Sequence, residues 1–173
     1  TAEAGLRWRH SESGSLEIYA YRTDVDDLIA FAGPAFQAVN IDRARLQGVE
    51  LTYNYADGHW SYYASATAQD SEDRSTGAAL LRRPDNKASV SADRHFDNGS
   101  WLGFEWLYIG EREDFGGVKL DAYHLLNTRG GWHFHPDWRL ELRGENLLDE
   151  DYEPAYGYNS PGRSWFISLA WIP

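Results

Sequence analysis

Cysteine and methionine are both absent from this chain of 173 residues. Without a thiol there is no disulfide framework, no thiol chemistry and no Cys-bearing zinc motif. Long apolar runs are lacking too. The longest apolar-rich stretch, Trp165 to Ile172, has eight residues, far short of the ~20 that a spanning helix needs. A helical membrane protein is therefore excluded. The first residues show no basic segment followed by an apolar one, so no signal peptide is expected there. Positive charge is scarce: Lys and Arg number 16 against 27 Asp and Glu, a formal net charge of -11. Phosphate binding by counterion release requires a basic stripe, so nucleic acid is not an expected partner. What the chain does have is aromatic rings, with 8 Trp, 11 Tyr and 7 Phe. Acidic disordered chains are poor in such residues, and the chain is read as ordered.

The apolar residues recur with period two. Trp138, Leu140, Leu142 and Gly144 alternate with Arg139, Glu141, Arg143 and Glu145. Trp165, Ile167, Leu169 and Trp171 alternate with Phe166, Ser168 and Ala170. The same pattern places Val49, Leu51, Tyr53 and Tyr55 opposite Glu50, Thr52 and Asn54, and Leu102, Phe104 and Trp106 opposite Gly103 and Glu105. Helical spacing fits none of these stretches, so the chain is all-β. The pattern predicts nine strands, at roughly 5–10, 15–24, 42–56, 59–70, 86–96, 99–110, 121–135, 137–147 and 162–172. Several reach the ~9–11 residues of a tilted strand that crosses a bilayer, longer than the ~5–6 of globular sheets.

The connections alternate in length. Short turn-forming segments lie at 10–15, 56–59, 96–99 and 135–137. Long connections are expected at 24–41, 70–85, 111–120 and 148–162. Outer-membrane barrels are built this way, with short periplasmic turns and long outer loops. On that reading the apolar face meets lipid, while Arg139, Glu141, Arg143, Glu145, Glu50, Asn54 and Asp93 face the interior. Trp8, Trp60, Tyr62, Trp101, Tyr108, Trp138, Trp165 and Trp171 fall near strand ends, where rings anchor to headgroups. The competing reading is a soluble β-sandwich with one wet face and Trp in its core.

Local motifs then carry a resemblance. Asn146-Leu147-Leu148-Asp149-Glu150-Asp151-Tyr152-Glu153, followed by Tyr156-Gly157-Tyr158 and Pro161-Gly162-Arg163 before a terminal aromatic strand, resembles the C-terminal end of TonB-dependent outer-membrane receptors. Ala44-Arg45-Leu46-Gln47-Gly48-Val49-Glu50 is similar to a segment that opens a barrel strand in that family. Leu80-Leu81-Arg82-Arg83 together with Tyr156-Gly157-Tyr158 resembles, more narrowly, its vitamin B12 (cobalamin) branch. One departure is the end, Trp171-Ile172-Pro173, where the family closes on an aromatic residue. The resemblance implies a transmembrane antiparallel β-barrel, residues 1–173 forming the last part of a wall of about 22 strands. The plug domain and TonB box of such receptors are not in this sequence. Nine is odd, whereas bacterial barrels close with an even number, so the segment is not expected to close alone.

Catalytic and metal chemistry find little support. His133 and His135 share a strand face but have no third ligand nearby, and read as polar residues at a turn. The acidic clusters Asp24/Asp26/Asp27 and Asp149/Glu150/Asp151/Glu153 lack the spacing of a calcium loop and read as solvated loop charge. Asn98-Gly99-Ser100 matches a glycosylation acceptor by chance in a turn. No nucleophile elbow, phosphate loop or dinucleotide fingerprint is present. No catalytic residue, metal or cofactor is assigned, and the protein is not expected to be an enzyme.

The substrate-facing candidates lie in loops. Arg82 and Arg83 enter a strand from an outer loop, and a guanidinium is a planar fork suited to phosphate or amide groups. The resemblance implies that Arg82 corresponds to a substrate contact. It also implies that Phe115 stands where the cobalamin branch carries an aromatic that touches substrate, with Phe here in place of Tyr. Tyr156 and Tyr158 belong to an aromatic run in the last loop, fit either for a ligand or for loop packing. The expected function is an outer-membrane active-transport receptor of a Gram-negative bacterium, energised by TonB, for cobalamin or a similar large chelate. Its expected partners are that chelate, outer-membrane lipids and, only through the N-terminal part of such receptors, TonB. The alternatives are a ferric-siderophore receptor, a small standalone structural or pore-forming barrel, and a soluble carbohydrate-binding sandwich.

Overall fold

An alternating segment is stable as a strand only when its backbone N–H and C=O groups find partners, and here each such segment pairs with its neighbour in sequence. The computed structural model describes residues 1–32 and 37–172. Its elements are β1 (Ala2–Arg9), β2 (Gly14–Ala32), β3 (Gln37–Ala56), β4 (Trp60–Asp73), β5 (Asn86–His95), β6 (Trp101–Ile109), β7 (Arg112–Glu113), β8 (Lys119–Leu120), β9 (Tyr123–His135), β10 (Trp138–Glu145) and β11 (Ser164–Trp171). Nine of them form one antiparallel sheet in the order β1-β2-β3-β4-β5-β6-β9-β10-β11, and β7 pairs with β8 as a separate two-stranded piece. A 3-10 turn, Phe115–Gly117, joins β7 to β8.

The register makes two continuous faces. Leu140↔Leu169 and Leu142↔Ile167 pair directly, as do Leu6↔Ile18, Ile18↔Leu51 and Val90↔Trp106. These side chains point to one side and, apart from the half-buried Leu140, stay exposed, Ile167 at 72% and Leu169 at 60%. The other side is polar. Arg7 pairs with Glu17 at 2.8 Å, and Arg129 reaches Asp93 at 3.1 Å across the intervening β6. Gly103 stands between those two, and a Cβ there would collide with the Asp93 carboxylate. Among the described residues the buried hydrophobics are only Ala44, Leu80 and Leu120. A single sheet with its apolar face uncovered has no second layer, which excludes the sandwich. β1 and β11 are the two edges and do not pair with each other, which excludes a small closed barrel of these nine strands.

Rings gather on the apolar face beside the short turns. His10 stacks on Tyr53 and Trp60 on Tyr62, with centroids 5.8 and 5.5 Å apart, and Trp138 meets Trp171 at 6.4 Å. Trp101 departs from its expected place. Its register partner is Gly131 on the polar side, and the indole occupies the space that a Gly131 side chain would take. The turns have local causes: Asp57 Oδ1 accepts from the backbone N–H groups of His59 at 2.9 Å and Trp60 at 2.7 Å, around Gly58 at φ 90°.

One expected loop is corrected. The segment 24–41 is mostly a continuation of β2 and β3, paired from Asp24↔Arg45 out to Ala32↔Gln37. Asp is depleted in sheets, yet Asp24, Asp26 and Asp27 lie within β2. A ribbon wet on both sides tolerates them: Arg45 Nε lies 2.7 Å from Asp24 Oδ1, and Asn40 Nδ2 donates to Asp27 Oδ1 at 3.0 Å. The other long connections are confirmed at the same end of the sheet.

Candidate functional site

The long-loop end is held by side chains that bond to backbone. Asn146, buried and at φ 50°, directly follows β10. Its N–H donates to Asn127 Oδ1 at 2.9 Å, its Nδ2 to Glu150 O at 2.8 Å, and its Oδ1 accepts from Glu150 N at 2.9 Å. Asn tolerates the left-handed conformation better than other side chains, which explains why this residue opens the last loop. Asp149 then accepts from Arg163 N at 2.8 Å and closes it.

A second hub joins three loops. Asp114 caps the 3-10 turn, a role that an Asp before Phe-Gly-Gly signals. Its carboxylate is fully buried. Oδ1 accepts from Phe115 N at 2.7 Å and from Arg82 Nε at 2.9 Å, and Oδ2 accepts from Tyr156 N at 2.8 Å. Burial alone pushes this carboxyl up. The hydrogen bonds from Tyr156, Arg82 and Phe115, with the Arg82 charge, outweigh it and hold the group below the usual carboxylate range. Arg82 stands at φ 60°, a conformation uncommon for its type, and its N–H donates to Glu113 O at 2.7 Å. Its guanidinium lies 4.9 Å from the Phe115 ring centroid. Arg112, also buried, donates to Asp121 O and Glu153 O and lies 5.3 Å from the Tyr123 ring.

The fold thus brings Arg82, Phe115 and Tyr156 together around Asp114. Arg83 is exposed and makes no hydrogen bond or ion pair among the described residues, and Tyr158 is 65% exposed, so neither joins the cluster. Tyr156 also borders an open crevice of about 400 Å³ lined by Lys119, Asp121, Tyr123, Tyr152 and Asn159. Asp93 and Glu105, on the polar face, are engaged elsewhere, Asp93 by Arg129 and Glu105 by Asn127. Asp114 and Arg112 escaped the sequence reading, although both lie in the Glu111-Arg112-Glu113-Asp114-Phe115 segment. Among the described residues no group of three or more His, Asp or Glu is placed to hold a metal ion.

Comparison with known proteins gives three findings. A family model described as TonB dependent receptor-like, beta-barrel matches residues 1–147. The vitamin B12 transporter BtuB of Vibrio vulnificus (strain YJ016) is 30% identical over 98% of this chain, which spans 29% of that protein's length. Among solved structures, the ferric-catecholate import receptor Fiu of E. coli K12 superposes with a TM-score of 0.79 at 17% identity, over 98% of this chain and 27% of its own. The ferripyoverdine receptor of the Pseudomonas aeruginosa outer membrane gives 0.79 at 14%, over 98% and 26%. At these identities the two structures speak to the fold alone.

Proposed function

Because the chain belongs to the TonB-dependent receptor-like β-barrel family, we propose that residues 1–173 form barrel wall and outer loops of an outer-membrane transporter that takes up cobalamin or a similar large chelate. The observation that carries this reading is the open sheet with a continuous apolar face, which fits a lipid-facing wall whose edge strands pair with further strands of a larger barrel. The polar face lines the interior of that barrel. The likeness to a vitamin B12 transporter supports the choice of substrate. In this reading substrate docks at the outer mouth, where Arg82, Phe115 and Tyr156 offer a donor fork, a flat apolar ring and an adjoining crevice. Energy comes from TonB acting on the receptor's N-terminal part, so this segment binds and guides but does not couple. In this reading the role is transport.

The test is equilibrium binding of cyanocobalamin, with a ferric siderophore as control, to the whole receptor in detergent. Arg82→Ala should weaken cyanocobalamin binding without lowering the amount of folded barrel. A hydrogen bond from a charged group contributes ~1.5–3 kcal/mol, or about a tenfold to hundredfold change in Kd. A wild type that binds the siderophore and not cyanocobalamin rejects the substrate and keeps the transporter class. Unchanged affinity in the variant rejects the role of Arg82.

A further inference from the structure

Arg82 is presented by a buried carboxylate that lies outside the nine-stranded sheet, at the start of the 3-10 turn. A carboxylate in such a place is costly unless its oxygens are satisfied, and Asp114 receives its three hydrogen bonds from three directions. Arg82 comes from the loop between β4 and β5, Phe115 from the loop between β6 and β9, and Tyr156 from the loop between β10 and β11. The contact to Arg82 is side-on, through Nε, while the ring of Phe115 lies against the same guanidinium. This consumes one of the five donors of an arginine and leaves the four on Nη1 and Nη2 without a protein partner among the described residues. The side chain is 39% exposed.

We propose that Asp114 is a positioning residue: it sets the plane of Arg82 and the path of the Tyr156 loop before ligand arrives, so that an acceptor-rich ligand, phosphate or carboxamide, meets a donor edge already in place. This rests on the reading of Arg82 as a ligand contact. Preorganisation of this kind raises affinity by removing the ordering cost that a free arginine and a free loop would bear at binding. The left-handed backbone of Arg82 fits the same account, since a sparsely populated conformation persists only where surrounding contacts over-determine it.

A double-mutant cycle on the whole receptor tests the inference. Asp114→Asn should weaken cyanocobalamin binding about tenfold to a hundredfold. Added to Arg82→Ala, it should weaken binding little further, because one residue acts through the other. Independent, additive losses overturn the proposal, as does unchanged affinity in Asp114→Asn. If Asp114→Asn lowers the yield of folded barrel, Arg82→Lys replaces it: the charge stays but the side-on contact goes. That variant should bind nearly as weakly as Arg82→Ala, and a lysine that binds like wild type overturns the proposal. Hydrogen exchange on the ligand-free barrel separates this inference from the choice of substrate. Asp114→Asn should speed exchange of the Tyr156 amide at least tenfold or so, and an unchanged rate overturns the proposal whether or not cobalamin is the ligand.

Discussion

The short-turn end and the long-loop end of this sheet are stabilised in different ways. At the short turns the bonds that bend the chain are local, although neighbouring turns also touch, as His59 Nε2 and Asp97 Oδ1 do at 3.0 Å. Asp57 accepts from the backbone N–H groups of His59 and Trp60, Gly58 supplies the positive φ, and aromatic neighbours stack on the apolar face. At the long loops the decisive contacts bridge residues far apart in sequence, as Asp114 does with Arg82 and Tyr156. The wall between the two ends is a repeated backbone ladder. The difference teaches where specificity can reside. A repeated ladder supports many ligands, whereas a few buried polar residues can shape one mouth. The structural likeness to receptors only 14–17% identical is a likeness of the fold alone.

Breaking the wall should have the largest effect. Leu169→Arg, placed near the bilayer midplane of the apolar face, should cost ~2–4 kcal/mol, against ~0–1 near an interface. Arg139→Leu, on the opposite face, should leave assembly nearly unchanged. Folded yield in bilayers measures both, and the reverse ranking would show the faces to be assigned inside out.

The loop end should respond less and more locally. Asn146→Ala removes both side-chain bonds to the Glu150 backbone and the left-handed tolerance of the position, at a cost of about 1–3 kcal/mol. Proteolysis and hydrogen exchange should rise in residues 147–163 while β10 and β11 stay protected. If the strands open together with the loop, the two regions are one cooperative unit and the contrast fails.

Acid should have the smallest effect over ordinary conditions. Asp114 titrates below the usual carboxylate range when its loops are docked, so it contributes full stability above its unfolded value of ~3.9. The contribution is lost as pH falls through the depressed folded value. Loop protection should therefore be flat from about pH 8 to 5 and decline only below that ordinary value, with the sheet persisting. An earlier decline, near neutrality, would point to a histidine rather than to Asp114.

The wall was legible because period two is a property of adjacent residues. Arg139 to Glu145 states its own faces, and each strand expected from such a pattern pairs as expected with the next. The ribbon beyond Asp24 was not legible, because its aspartates break the pattern and only the facing Arg45 and Asn40 account for them. The side taken by Trp101, by contrast, was legible: it is out of phase with Leu102, Phe104 and Trp106 and so falls on the polar face, across from Gly131. Of the five loop residues singled out for substrate, Arg82, Phe115 and Tyr156 converge, while Arg83 and Tyr158 do not. The residue that joins them, Asp114, offers in sequence only the signature of a local turn cap.

By itself, then, the sequence determined the class of structure, the number of strands in the sheet, the two chemically distinct faces and the family, all of which depend on short-range pattern and composition. The tertiary structure alone decided that Arg82 and Tyr156 meet on one carboxylate. Residues separated by 32 and 42 positions from Asp114 carry no mutual signal in a single chain, because their meeting is decided by how far each loop reaches over the rim and by the demand of a buried charge for every donor within range.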